Sequence, residues 1–163
     1  MTDSYYLNNK ELKNIKFGKI GKNCKISNLV TFIGKNKIFL GDNVRIDDFC
    51  VINGLKGSVT IGNKSHINSF CYLLGTSIIK IGKNCDISQG VKIYSKSDDY
   101  NVTRIKRFLK KVHIGNNVII GSNSVILPGT ILEEYSRIGA LTVVKGIVKK
   151  RTLFYGKTKK KIT

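Results

Sequence analysis

An aliphatic or aromatic residue recurs every six positions in this chain, and that period limits the fold more than any other feature. Ile20, Ile26 and Phe32 open the series, followed by Leu40, Ile46 and Ile52, then Ile61, Ile67 and Leu73, then Ile81, Ile87 and Ile93. The last run is unbroken: Ile114, Ile120, Ile126, Leu132, Ile138 and Val144. This period is not that of a helix, and it marks an internal repeat whose units bury their apolar faces on one another. Extra residues enter only after each third hexad, and three hexads make one triangular coil. The insertions therefore leave from a single corner.

A second column supports the first. Four residues after the key aliphatic stand Cys24, Val30, Val44, Cys50, Ser65, Cys71, Cys85 and Val91, then Val118, Ser124, Thr130, Ser136 and Thr142. All are small or β-branched, as a narrow interior holding one large and one small side chain per face requires. The chain's four cysteines all fall here, so they read as core thiols and not as metal ligands or nucleophiles. Gly and Asn follow the key aliphatic at the corners, as in Leu40-Gly41-Asp42-Asn43 and Ile114-Gly115-Asn116-Asn117. Both tolerate the positive φ of a sharp turn.

The expected architecture is all-β: a parallel β-helix of about six coils over 18–149, with a long corner loop at 94–113. A short helical cap is expected within 1–17, where Leu7, Leu12 and Ile15 are placed to dock on the first coil. A basic tail occupies 150–163, with Lys157, Lys159, Lys160 and Lys161 clustered.

The net charge is +19, which favours anionic partners in general. Most lysines nevertheless fall singly at turns, and no basic helix, Cys/His finger or aromatic-basic strand motif points to nucleic acid. No run of apolar residues is long enough to span a membrane, and the N-terminus lacks a signal-peptide layout. The expected location is therefore cytoplasmic. Two histidines are too few for a three-His metal centre, so no metal site is expected.

Several segments resemble the hexapeptide-repeat acyltransferases, in particular the branch acting on sugars. They are Arg45-Ile46-Asp47-Asp48-Phe49, Ser65-His66-Ile67, Ile93-Tyr94-Ser95-Lys96-Ser97-Asp98-Asp99-Tyr100 and Ile126-Leu127-Pro128-Gly129. The resemblance implies a left-handed β-helix and a homotrimer with active sites between subunits. It also implies acetyl-CoA or another acyl-CoA as co-substrate, with no permanently bound cofactor. The pantetheine arm is expected on backbone amides at Gly121, Ser122, Gly139 and Ala140, with Lys145 nearby. Where many members carry a loop histidine this chain has Asp98, and the resemblance implies that Ser88 and Asp98 position the acceptor amine. Thr158 replaces a proline of the family's closing segment.

Register adds a wall to this site. Residues flanking the key aliphatic point outward, so Arg45, His66, Asp86, Ile119 and Arg137 form one column and Asp47, Asn68, Ser88, Gly121 and Gly139 the next. His66 is the general-base candidate by chemistry, with Asp86 placed to orient it. Arg45, Asp47, Asn68 and Asp86 are candidate substrate contacts. His113 also points outward, with a loop-anchoring role as the simpler reading. The expected reaction is acyl transfer from acyl-CoA to the amine of a nucleotide-linked sugar. Sugar O-acetylation for cell-surface polysaccharide and a non-catalytic scaffold are the alternatives.

Overall fold

The computed structural model describes residues 5–99, 106–156 and 158–161. Short strands stack in parallel into three sheets that form the faces of a left-handed prism of about six coils. Face I carries Lys25–Ile26, Arg45–Ile46, His66–Ile67, Asp86–Ile87, Ile119–Ile120, Arg137–Ile138 and Thr152–Tyr155. Face II carries Thr31–Ile33, Val51–Asn53, Tyr72–Leu74, Lys92–Tyr94, Val125–Ile126 and Val143–Val144. Face III carries Ile38–Leu40, Ser58–Ile61, Ile78–Ile81, Val112–Ile114, Ile131–Leu132 and Ile147–Val148. Each insertion leaves between faces II and III, the corner that the hexad breaks identified.

From Ile38 onward the key aliphatics are buried, as are the cysteines and hydroxyls of the small column. The structure gives a reason for the polar members. Cys24, Cys50, Cys71 and Cys85 each point Sγ at the carbonyl just past the key aliphatic of the next coil: Gly41, Asn68, Ser88 and Gly115, at 3.0–3.2 Å. Ser65 and Ser124 make the same contact to Gly82 and Gly139, both at 2.8 Å. A corner carbonyl turned inward needs a donor, and only a small hydroxyl or thiol fits. Burial pushes the thiols of Cys24 and Cys85 up from their ordinary pKa, which suits a structural role.

Both ends of face I are closed by antiparallel chain. At the start, Leu7 N–H donates to Ile26 O and Asn28 N–H to Tyr5 O, while Tyr6 bridges Ser27. The helix Asn9–Asn14 follows, its N-terminus held by a capping box between Asn8 and Glu11. Its Leu12 enters the core, and Leu7 and Ile15 pack beside it. At the far end Thr158–Lys161 pairs antiparallel with Thr152–Tyr155; Lys157 lies outside the described residues. Such closure removes an edge that would otherwise template further strands.

Part of the expected corner loop pairs with itself. Lys96–Asp99 and Lys106–Leu109 form an antiparallel hairpin, while residues 100–105, Tyr100 included, lie outside the described residues. Its base is pinned by Ser95, fully buried, whose Oγ donates to Leu74 O and accepts from Ser77 N–H.

Candidate active site

Face I displays the two outward columns in the predicted register, with Arg45 beside His66, His66 beside Asp86, and Asp86 beside Ile119. The side-chain partners differ from the expected ones. His66 Nε2 lies 2.7 Å from Asp47 Oδ2, and Asp47 Oδ1 accepts from Arg45 Nε at 2.7 Å and from the Tyr6 hydroxyl at 3.0 Å. Asp86 instead accepts from Asn68 Nδ2 at 2.8 Å and stands 4.0 Å from His66 Nδ1. Asp47, not Asp86, thus orients the imidazole. Burial raises the Asp47 carboxyl, but the bonds from Arg45, His66 and Tyr6 outweigh it and hold the group below its ordinary value. The Arg45 guanidinium also lies over the Tyr6 ring, 5.6 Å from its centroid.

Asn68, Ser88, Gly121 and Gly139 continue the second column at the corner between faces I and II. The amides of Gly121 and Gly139 are already used, donating to Ile138 O and Phe154 O of the next coil. The adjacent amides of Ser122 and Ala140 take no part in this ladder. Glycine at these positions is also explained by stacking. A Cβ on Gly121 would come within 2.5 Å of Ala140 N, and one on Gly139 within 2.7 Å of Tyr155 Cβ.

Asp98 sits elsewhere, on the hairpin at the corner between faces II and III. It borders a hollow of about 320 Å³ lined by Leu74, Tyr94, Lys96, Ser97 and Leu127. Tyr94, Leu127 and Lys145 are one column, each following the key residue of face II. The predicted residues therefore divide between the two edges of one face. Ser88 and Tyr94 are six residues apart, at most about 20 Å of extended chain. His113 is exposed on face III beside Lys80 and Ile131, on the strand that follows the hairpin. Sequence reasoning missed Tyr6, whose position depends on the arm folding back, and the Tyr94–Leu127 column, which the register already contained.

Comparison with known proteins fits this layout. Residues 111–146 match the model of the bacterial transferase hexapeptide (six repeats). A dTDP-4-amino-4,6-dideoxy-D-glucose acyltransferase of Escherichia coli is 37% identical over 150 residues, covering 86% of this chain and 78% of the relative. The chain belongs to the hexapeptide-repeat acyltransferases. A putative lipopolysaccharide biosynthesis O-acetyl transferase of E. coli is 31% identical over 126 residues, 76% of this chain and 58% of the relative. Among solved structures, an N-acyltransferase of Bacillus cereus in complex with dTDP and 3-hydroxybutyryl-CoA superposes with a TM-score of 0.88. It is 32% identical and covers 96% of this chain and 88% of its own. The same enzyme has been crystallised with variants at a serine and at an aspartate ten residues apart. That is the spacing of Ser88 and Asp98.

Proposed function

We propose that this protein transfers an acyl group from acyl-CoA to the amino group of a nucleotide-linked amino sugar. The observation that carries this is the Ser88/Asp98 pair. It has the residue types and spacing of the positions varied in the B. cereus N-acyltransferase, within a chain similar to it over nearly its whole length. In this reading the acceptor nitrogen adds to the thioester carbonyl carbon, the C–S bond breaks, and the nitrogen's proton passes to the CoA sulfur or through the Asp98 carboxylate. Ser88 hydrogen-bonds the acceptor, and CoA extends along Gly121, Ser122, Gly139, Ala140 and Lys145. The amides of Ser122 and Ala140 are the better donors to the pantetheine arm, since those of the two glycines serve the coil ladder. Among the cysteines all four thiols are buried, which disfavours a covalent acyl-enzyme. Arg45, Asp47, His66, Asn68 and Asp86 face the acceptor side.

The working form in this reading is a homotrimer. Face II supports it, because outward Val51, Tyr72, Leu74, Val125, Leu127 and Val143 form apolar patches on either side of Lys92. Val143 is 60% exposed, and such a surface calls for a partner. Threefold packing on face II brings the Ser88 edge of one subunit to the Asp98 edge of its neighbour, and the rotation closes the assembly. Reliance on CoA and the reduced thiols favour a cytoplasmic enzyme supplying cell-surface polysaccharide biosynthesis.

The test is product mass spectrometry with acetyl-CoA and 3-hydroxybutyryl-CoA against dTDP- and UDP-linked amino sugars and free galactosides. An N-acylated nucleotide sugar is expected. A product formed only on a sugar hydroxyl would overturn the reading in favour of O-acetylation, the activity named for the second E. coli relative.

A further inference from the structure

Positive φ is the rule at the corners of this solenoid, and its occupants are mostly asparagine and glycine: Asn23, Asn43, Asn84, Asn117 and Asn123, with Gly90. Lys64, Tyr135 and Leu141 depart from it singly, and two adjacent coils depart from it together with phenylalanine. Phe49 and Phe70 have φ of 58° and 62°, a conformation in which a bulky side chain is strained. Both are 53% exposed. Their rings stack on each other with centroids 5.2 Å apart and planes 19° from parallel. The stack offsets part of that strain, whereas asparagine, used at other corners, would avoid it.

The pair lies on the corner between faces I and II, the corner that carries Ser88. Coils are spaced by about 4.8 Å, so Phe70 is one coil and Phe49 two coils before the level of Ser88. The next corner position is Gly90, which leaves Phe70 uncovered from that side. Beside the pair is a hollow of about 270 Å³ lined by Tyr5, Tyr6, Arg45, Asp47, Asp48 and Ser69. Asp48 and Ser69 immediately precede the two phenylalanines, so polar groups sit at the edge of the platform. Lys25 stands beside Arg45 in register; Arg45 shares its Nε with Asp47, so Lys25 and the remaining arm of the Arg45 fork are the cations next to the pair. Aromatic faces, edge-reading polar groups and adjacent cations are the requirements of a nucleotide.

We infer that Phe49 and Phe70 form the platform on which the pyrimidine base of the acceptor nucleotide stacks, with Lys25 and Arg45 facing its diphosphate. The inference rests on the nucleotide-linked acceptor proposed above and sets its direction. CoA occupies the later coils, the reacting amine lies at the level of Ser88, and the nucleotide runs back toward the N-terminal coils.

The test uses Phe49→Asn and Phe70→Asn, singly and together, because asparagine already occupies this conformation at other corners. Phe49→Leu/Phe70→Leu keeps apolar volume but removes the rings. Binding of dTDP is measured by calorimetry, CoA binding serves as the control, and light scattering reports assembly. In the double asparagine variant dTDP affinity should fall by about tenfold or more, with CoA affinity and assembly unchanged. The leucine variant should show most of the same loss. Unchanged dTDP affinity, full retention by the leucine variant, or loss of assembly alongside loss of binding would each overturn the inference; the last would make the pair a subunit contact. Wild-type protein that binds CoA but not dTDP would instead overturn the nucleotide-linked acceptor itself.

Discussion

Ser65→Ala tests why the small column is polar. The Ser65 hydroxyl is buried, donates to Gly82 O at 2.8 Å and accepts from Cys85 N–H at 3.0 Å. Alanine removes both bonds without changing the backbone. Two buried main-chain groups then lose a partner, and an unsatisfied buried group costs about 1–3 kcal/mol. The sum is about 2–4 kcal/mol after partial relaxation. For a chain of this size each kcal/mol lowers the melting temperature by about 2–4 °C, so a drop of roughly 5–15 °C is expected. Ser65→Cys should be intermediate, because a thiol is a weak donor that the same column uses at Cys71 and Cys85. The assay is denaturant unfolding at fixed protein concentration, since assembly contributes to apparent stability. An alanine variant within about 0.5 kcal/mol of wild type, or a cysteine variant no better than alanine, would refute the reasoning.

Three further outcomes follow from the site. Asp98→Asn and Ser88→Ala should each lower kcat/KM by about tenfold or more, about 1.4 kcal/mol in the barrier; steady-state kinetics with melting curves unchanged would verify it, and near-wild-type rates would point to the CoA sulfur as sole proton acceptor. Asp47 has a folded pKa below its ordinary value, so its ionised form stabilises the fold above the unfolded pKa of about 3.9 and that contribution is lost as pH falls through the folded pKa. Asp47→Asn should therefore destabilise the protein at neutral pH, and the gap to wild type should shrink below about pH 4 in a series of urea midpoints. Gly121→Ala should cost about 1–3 kcal/mol through the clash with Ala140 N, whereas Ser122→Ala should melt like wild type.

The solenoid was readable because each face of a coil buries little more than one large and one small side chain. Both columns then surface in the sequence at a fixed six-residue spacing, and an insertion cannot be hidden. The register that pairs Arg45, His66 and Asp86 followed directly from that spacing. Which side chains bond could not follow. A column gives Cα neighbours, while rotamers choose partners, and Asp47 reaches His66 across the diagonal while Asp86 turns to Asn68. Tyr6 was out of reach for another reason: it joins the network only because the arm before Asn8 pairs back on Ser27. The hairpin at Lys96–Leu109 was obscured because its two strands project from the solenoid and add nothing to the hexad period.

Gly121 and Gly139 show where a motif and its cause separate. The same column holds Asp47, Asn68 and Ser88 in earlier coils, so the position as such accepts a side chain. In the later coils a Cβ would strike the neighbouring chain, so the corner is closer-packed there. The column thus carries side chains up to Ser88 and bare backbone at Gly121 and Gly139. A glycine explained by packing is not by itself evidence of a bound ligand; in the proposed reading the pantetheine arm meets the amides of Ser122 and Ala140, which were expected to serve alongside the two glycines. In the proposed reaction the boundary itself is the useful feature. Hydrogen-bonding side chains for a polar acceptor end at Ser88, and the smooth strip for an extended thioester arm begins at the next coil. The two substrates would then meet at the level of Ser88.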